Sequence, residues 1–168
     1  MKVKIKKLSD KAVIPKQASE LAGGWDVIAT EIIQESDDFV ICKLGFSLQP
    51  PNNYKVTLVP RSSLTKTKWI LQNSPGLGDP DYLGEYQYRF RALPIDVEID
   101  YLNISRINGC YIGTGDQTIK LQYQKFPFNV GDRIGQIYLE EIIPIEFEEV
   151  EELSETERGE GGYGSTGL

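Results

Sequence analysis

Four strings of this 168-residue chain bring together residue types suited to phosphate and water chemistry. In Pro60-Arg61-Ser62-Ser63-Leu64 a guanidinium stands beside two hydroxyls and the amides of a tight turn. Arginine's planar fork of donors matches phosphate oxygens, and amides at a helical first turn add partial positive charge. Asn73-Ser74-Pro75-Gly76-Leu77-Gly78-Asp79-Pro80-Asp81-Tyr82-Leu83-Gly84-Glu85 carries glycines and prolines that force a hairpin whose backbone can approach a flat ligand closely. At its exit Asp79 or Asp81 can orient and deprotonate a water, and Tyr82 offers a ring to pack beneath a sugar. Asn129-Val130-Gly131-Asp132-Arg133-Ile134-Gly135-Gln136 feeds a turn into a strand whose alternate side chains share one side. Last, Arg158-Gly-Glu-Gly-Gly-Tyr163-Gly-Ser165-Thr166-Gly-Leu168 has glycine amides able to wrap an anion, two hydroxyl donors, a cation and an aromatic lid.

Each string alone also has a plainer meaning. Arg61 to Leu64 reads equally as a surface turn, Gly78 to Asp81 as backbone shaping, Asn129 to Gln136 as a β-turn and strand, and the tail as a linker. Composition narrows the choice. The chain has no histidine, which excludes histidine-based acid/base work, Ser-His-Asp hydrolysis and histidine-ligated zinc. The net charge is -7, but ten of the 25 acidic residues lie between Glu140 and Glu160 with Arg158 as the one base there. The rest carries 15 acidic and 17 basic residues, about +2, which disfavours nucleic acid as a partner and leaves room for a small anionic ligand. Cys42 and Cys110 fit no metal-ligand spacing and read as small buried side chains of a reducing compartment. With no apolar run near the ~20 residues of a membrane span, and no apolar stretch behind Met1-Lys-Val-Lys-Ile-Lys-Lys, we expect a soluble, cytoplasmic protein without a membrane partner.

The elements that must position these residues are strands. Phe39 to Cys42, Lys55 to Val59, Trp69 to Leu71 and Ile119 to Tyr123 are rich in Val, Ile, Tyr and Phe and are cut by Gly, Pro, Asn and Asp turns, while Ser62 to Lys66 resembles one helical turn. This spacing predicts an all-β sandwich or jelly-roll-like barrel. Tyr86 to Asn129 reads as extra hairpins, and after Leu153 apolar periodicity stops, so residues 1–153 form the expected β domain and 154–168 a mobile arm.

In this order, with Ala22-Gly23-Gly24-Trp25-Asp26-Val27 ahead of them, the four strings resemble the five motifs of the trimeric dUTP diphosphatase (dUTPase) family, from Ala22 to Gly167. The resemblance implies an all-β, β-clip, jelly-roll-like distorted barrel, assembled as a homotrimer with active sites shared among its chains and a flexible C-terminal arm closing a neighbouring site. It implies hydrolysis of dUTP to dUMP and pyrophosphate by water attack on the α-phosphorus, which keeps uracil out of DNA and supplies dUMP for thymidylate synthesis. Carried over by position, Asp79 is the general base. Arg61, Ser62, Ser63, Gln136, Arg158, Ser165 and Thr166 surround the phosphates. Asn73, Gly76 and Leu77 read the uracil edge, Tyr82 packs on deoxyribose and Tyr163 stacks on uracil. Asp26 acts through water on a Mg2+ ion that the triphosphate itself chelates.

Three departures stand out. Gly78 replaces a usually aliphatic residue before the catalytic aspartate, Leu83 replaces a common arginine, and residues 88–126 form an insertion where a short connection is usual, as in some viral and phage-encoded relatives. The insertion reads either as a hairpin shielding a sheet edge or as a platform for a protein partner, with Tyr101, Ile104, Ile107, Tyr111 and Ile112 as its apolar surface. Two rival functions remain at this level: a dUTPase-like regulatory protein that binds nucleotide and acts through the insertion, and a dCTP deaminase, which shares the Arg-Ser-Ser-Leu string. If the chain is phage-encoded, its cytoplasm is the host's.

Overall fold

A computed structural model describes residues 1–101, 104–107, 110–113 and 117–161, and over 97–119 it describes the backbone alone. In chain order the strands are β1 (Lys4–Lys7), β2 (Lys16–Gln17), β3 (Trp25–Ile28), β4 (Glu31–Ser36), β5 (Phe39–Lys43), β6 (Phe46–Gln49), β7 (Tyr54–Pro60), β8 (Trp69–Leu71), β9 (Gly76–Gly78), β10 (Gln87–Ala92), β11 (Pro94–Tyr101), β12 (Ile104–Ile107), β13 (Cys110–Gly113), β14 (Gln117–Tyr123) and β15 (Arg133–Glu141). A single 3-10 turn, Ser62–Lys66, follows β7, and Leu64 is its buried anchor. These bounds match the strands and the turn expected from the sequence to within a few residues.

Two antiparallel sheets carry the core, one ordered β2-β3-β15-β7-β9 and the other β4-β5-β10-β8. Alternation decides which side chains face inward. Val40 and Cys42 of β5, and Tyr88, Phe90 and Ala92 of β10, point into one apolar cluster with Val27, Val56, Leu58, Ile134 and Ile137 of the other sheet. Burial pushes the Cys42 thiol up to about 12. Among the described residues no helix is long and apolar enough to cross a membrane.

The stretch read as an insertion overlaps this core at both ends. Tyr88 and Phe90 are fully buried, and β10 pairs with β5 from Gln87 to Arg91 and with β8 at Phe90 to Ala92. At the far end, Phe126 packs edge-on to Trp69 at 4.9 Å and against Phe90 at 5.3 Å, while the Trp69 indole donates to the Gln124 carbonyl at 2.8 Å. The part of this stretch that stands outside the two core sheets lies between Ala92 and Gln124: hairpin β11-β14, and the β12-β13 pair. Tyr-Arg-Phe alternation is the same in a core strand and in a surface hairpin, so the sequence pattern does not separate them.

Candidate functional site

Asp26 is the focus of the first half of the site. β3 places it directly across from Gln136 of β15, and it is only 7% exposed. Gln136 donates from Nε2 to Oδ1 at 3.1 Å, Arg133 donates from NH1 to Oδ2 at 3.0 Å, and the Nε of Arg61 lies 3.7 Å from Oδ1. Arg61 also donates to the Arg133 carbonyl at 3.2 Å, which ties the end of β7 to the start of β15. Two guanidinium groups around one carboxylate leave the cluster with an excess positive charge facing solvent. The Arg133 side chain is 52% exposed, free to meet an anion on its open side. Ser62 and Ser63 follow Arg61 at the exposed start of the 3-10 turn.

Arg133 was not assigned a role by the sequence reading. Residues 133 and 136 should face opposite sides of a regular strand, but the ladder with β3 shifts register between Arg133 and Gly135. A bulge of this kind re-aims side chains, and both residues reach Asp26 because of it. Behind them, Tyr88 crosses from the other sheet and donates to the Gln136 carbonyl at 2.6 Å. A Cβ at position 135 would lie 2.1 Å from Cε1 of Tyr88, so Gly135 is what lets the ring reach that carbonyl. Ala22, Gly23, Gly24, Val59, Gln136 and Tyr138 line an open cleft beside this cluster.

The second half is the hairpin from Asn73 to Tyr86. Asn73 uses both ends of its amide on β10, accepting from the Arg89 amide at 3.0 Å and donating to the Gln87 carbonyl at 3.2 Å, so its side chain pins the base of the hairpin. Along β9 Gly76 and Gly78 are buried and Leu77 between them is 63% exposed, so Leu77 is what the strand presents to solvent. Asp79 caps a turn in which the Tyr82 amide donates to its carbonyl at 3.1 Å, and its own side chain is exposed. Tyr82, half exposed, folds back and donates to the Glu85 carbonyl at 3.0 Å, a path open because residue 84 is glycine: a Cβ there would sit 2.5 Å from the Tyr82 hydroxyl. Glu85 accepts from the Gly45 amide at 2.9 Å and locks the hairpin's exit to the core.

Register shows how the two halves relate within one chain. β9 runs antiparallel to β7 with Gly76 opposite Leu58 and Gly78 opposite Val56, so Asp79 continues toward Lys55 while Arg61 lies past the other end of β7. The six steps from Lys55 to Arg61 span roughly 20 Å at about 3.3 Å each. A single chain therefore holds its carboxylate base candidate and its phosphate candidates far apart. Arg158 lies on the exposed arm, its Nε donating to the Gly161 carbonyl at 2.8 Å; Tyr163, Ser165 and Thr166 lie outside the described residues.

The donor set can be tested against magnesium. Among the described residues no group of three or more carboxylate, cysteine or histidine side chains gathers to cage an ion. Asp26 is the one carboxylate in the cluster, and three donors approach it. A carboxylate has about four acceptor sites, which leaves room for a water on a hydrated ion and none for a closed protein shell. The residues fit an ion carried in by a polyphosphate.

The dUTPase family model matches residues 117–167. The whole chain is 32% identical, over 170 aligned positions and all of both chains, to the deoxyuridine 5'-triphosphate nucleotidohydrolase of Crocosphaera subtropica. It is 34% identical over 170 positions to the enzyme of that name from Helicobacter pylori strain Shi470, covering 100% of this chain and 98% of the relative. Among solved structures, the dUTPase of Staphylococcus bacteriophage 80alpha with dUPNHPP matches at a TM-score of 0.72 and 23% identity over 99% of each chain. A mutant dUTPase from phage phi11 of S. aureus, described with a structural Mg(II) ion, matches at 0.64 and 20% over 90% of this chain and 98% of that one. The likeness in shape establishes a shared fold.

Proposed function

This chain belongs to the dUTPase family, and from that premise we propose that it hydrolyses dUTP to dUMP and pyrophosphate. The observation that carries the reading is full-length kinship to enzymes named for this reaction, together with a carboxylate at 79 and a cation-rich cluster around Asp26. In this reading Asp79 orients a water and takes its proton as the water oxygen bonds the α-phosphorus. The bond from that phosphorus to the bridging oxygen of the β-phosphate breaks, and pyrophosphate departs. Arg61, Ser62, Ser63 and Gln136 hold the phosphate chain, and Arg158, Ser165 and Thr166 meet its far end from the arm. Asn73 and the hairpin backbone at Gly76 and Leu77 read the uracil edge, Tyr82 packs on deoxyribose and Tyr163 covers the base. Asp26 would hold a magnesium ion through water, and the ion would neutralise phosphate charge.

The site is shared between copies of the chain in this reading. The roughly 20 Å between Asp79 and Arg61 along β7 supports it, since one nucleotide must touch both. The arm supports it too: Ile143, Ile145 and Phe147 stand at alternate positions of a segment outside helix and strand and are 76%, 71% and 90% exposed, an apolar surface that suits cover by another copy. A homotrimer with three shared sites accommodates both features, and residues 154–168 then act as the lid of a neighbouring site. We assign the reaction to the cytoplasm, the host's if the chain is phage-encoded.

A second reading, nucleotide-dependent partner binding through the outer hairpins, is favoured by Leu93, Ile95 and Leu121, which are 48%, 52% and 46% exposed where β11 and β14 leave the core. Pyrophosphate release from dUTP, dCTP, dTTP and UTP with magnesium, for the parent and for Asp79→Asn, separates the readings. Release from dUTP alone, lost in Asp79→Asn, is expected. Binding of dUTP without release favours the second reading, and ammonia from dCTP identifies a deaminase.

A further inference from the structure

Tyr86 is 3% exposed, and its hydroxyl is fully enclosed without a hydrogen-bond partner. A buried unpaired hydroxyl is destabilising, so a tyrosine kept at such a place asks for a reason. The space around it supplies one. A Cβ built on Gly78 would lie 2.3 Å from the Tyr86 hydroxyl and 2.6 Å from its Cε1, so the end of the ring occupies the volume that any side chain at 78 would take. The ring packs edge-on to Tyr82 at 5.5 Å and is stacked with Phe46 at 6.5 Å. Its backbone is fixed on both sides, the Tyr86 amide donating to the Phe46 carbonyl at 3.1 Å and the Leu44 amide donating to the Tyr86 carbonyl at 3.2 Å. Burial, with Tyr82 and Asp79 nearby, pushes the hydroxyl up to about 12, so it stays protonated at neutral pH.

We propose that Tyr86 is a positioning residue for hydrolysis: anchored in the core, it fills the space vacated by Gly78 and holds the end of β9, and with it Asp79, in register with Tyr82. The proposal rests on the dUTP-hydrolysing reading above. It explains why glycine stands where an aliphatic residue is usual, because ring and side chain compete for one volume. Gly76 and Leu77, which meet the base, lie further along the hairpin, and the Asp26 cluster lies beyond the other end of β7. Losing the strut therefore displaces the base catalyst, with Tyr82 beside it, more than the base-reading backbone and the phosphate cluster.

The test measures kcat and KM for dUTP with magnesium in Tyr86→Phe, Tyr86→Leu, Gly78→Ala and Gly78→Ala/Tyr86→Leu, with active sites counted by titration with a non-hydrolysable dUTP analogue. Tyr86→Leu and Gly78→Ala are each expected to lower kcat per site about tenfold or more while KM moves less than about threefold. Tyr86→Phe keeps the ring and recovers most of that loss, and the double variant recovers kcat relative to Gly78→Ala because the added methyl then has room. A purely structural residue would lower the number of titrating sites and leave kcat per site unchanged, which overturns the proposal. If Tyr86→Leu does not fold, Gly78→Ala decides, and a kcat per site equal to the parent's in that variant overturns it as well. An inactive parent overturns the hydrolytic reading together with this proposal; an active parent with a fully active Tyr86→Leu overturns this proposal alone.

Discussion

Adding one methyl group at Gly135 should disturb the site more than its size suggests. The new Cβ would stand 2.1 Å from Cε1, 2.5 Å from Cζ and 2.8 Å from the hydroxyl of Tyr88. That ring has no free direction: it is fully buried, lies 6.2 Å from Phe90 in a stacked arrangement and is tethered to the Gln136 carbonyl at 2.6 Å. Overpacking a core costs about 1–3 kcal/mol, and losing the Tyr88 hydrogen bond adds about 0.5–1.5 kcal/mol. Together they come to roughly 2–4 kcal/mol, and at about 2–4 °C per kcal/mol for a chain of this length the thermal midpoint of Gly135→Ala falls by roughly 5–15 °C. Because Gln136 is the next residue and contacts Asp26, the affinity for a non-hydrolysable dUTP analogue should fall as well. Circular dichroism melts and calorimetric titration read both effects. Gly135→Ala/Tyr88→Leu should regain part of the midpoint relative to Gly135→Ala. A single variant that melts within about 2 °C of the parent would refute the packing argument.

Arg133→Met removes one of the two guanidinium groups on a nearly buried carboxylate, and kcat/KM for dUTP should fall about tenfold; an unchanged kcat/KM in steady-state assays would mean that Arg133 only decorates the strand. Stability should also decline in alkali. Folding raises the Cys42 thiol from 9.0 to about 12 and the Tyr86 hydroxyl from 10.0 to about 12, in both cases chiefly through burial, and raises Tyr88 for the same reason. Above pH 9 the unfolded chain releases these protons while the folded chain keeps them, so stability present below that pH is lost as it rises toward 12. Urea midpoints measured from pH 8 upward should therefore drop, and a flat profile would sink the assignment.

Much of the architecture is legible in the sequence. Short runs rich in Val, Ile and aromatic residues mark β5, β7 and β8, and the glycine and proline clusters mark the turns, because β-branched and aromatic side chains fit a pleated, buried surface. Asp26, Arg61 and Gln136 were each singled out, and all three meet at one carboxylate. Other features depend on partners distant in sequence. Arg133 joins that cluster through a bulge, and a one-residue shift in a ladder leaves no compositional mark. The pairs Gly135 with Tyr88 and Gly78 with Tyr86 exchange volume between strands, so neither member looks unusual alone. Asn73 has the chemistry to read a base, and what the sequence does not show is that its amide also spends one donor and one acceptor on the backbone of β10. Residues 88–126 run into the core at β10, where Tyr88 and Phe90 alternate as they would in a surface hairpin.

A site divided between copies of the chain can be tested by complementation. Asp79→Asn and Arg61→Ala are prepared separately, mixed in equal amounts, dissociated and reassembled, and pyrophosphate release from dUTP is measured. Each variant alone should be nearly inactive. If Asp79 and Arg61 of one site come from different copies, about one site in four in a random mixture receives an intact residue at both positions, and the mixture should recover about a quarter of the parent's rate. If the mixture stays as inactive as its components, although mass measurement shows mixed oligomers, the shared site is contradicted.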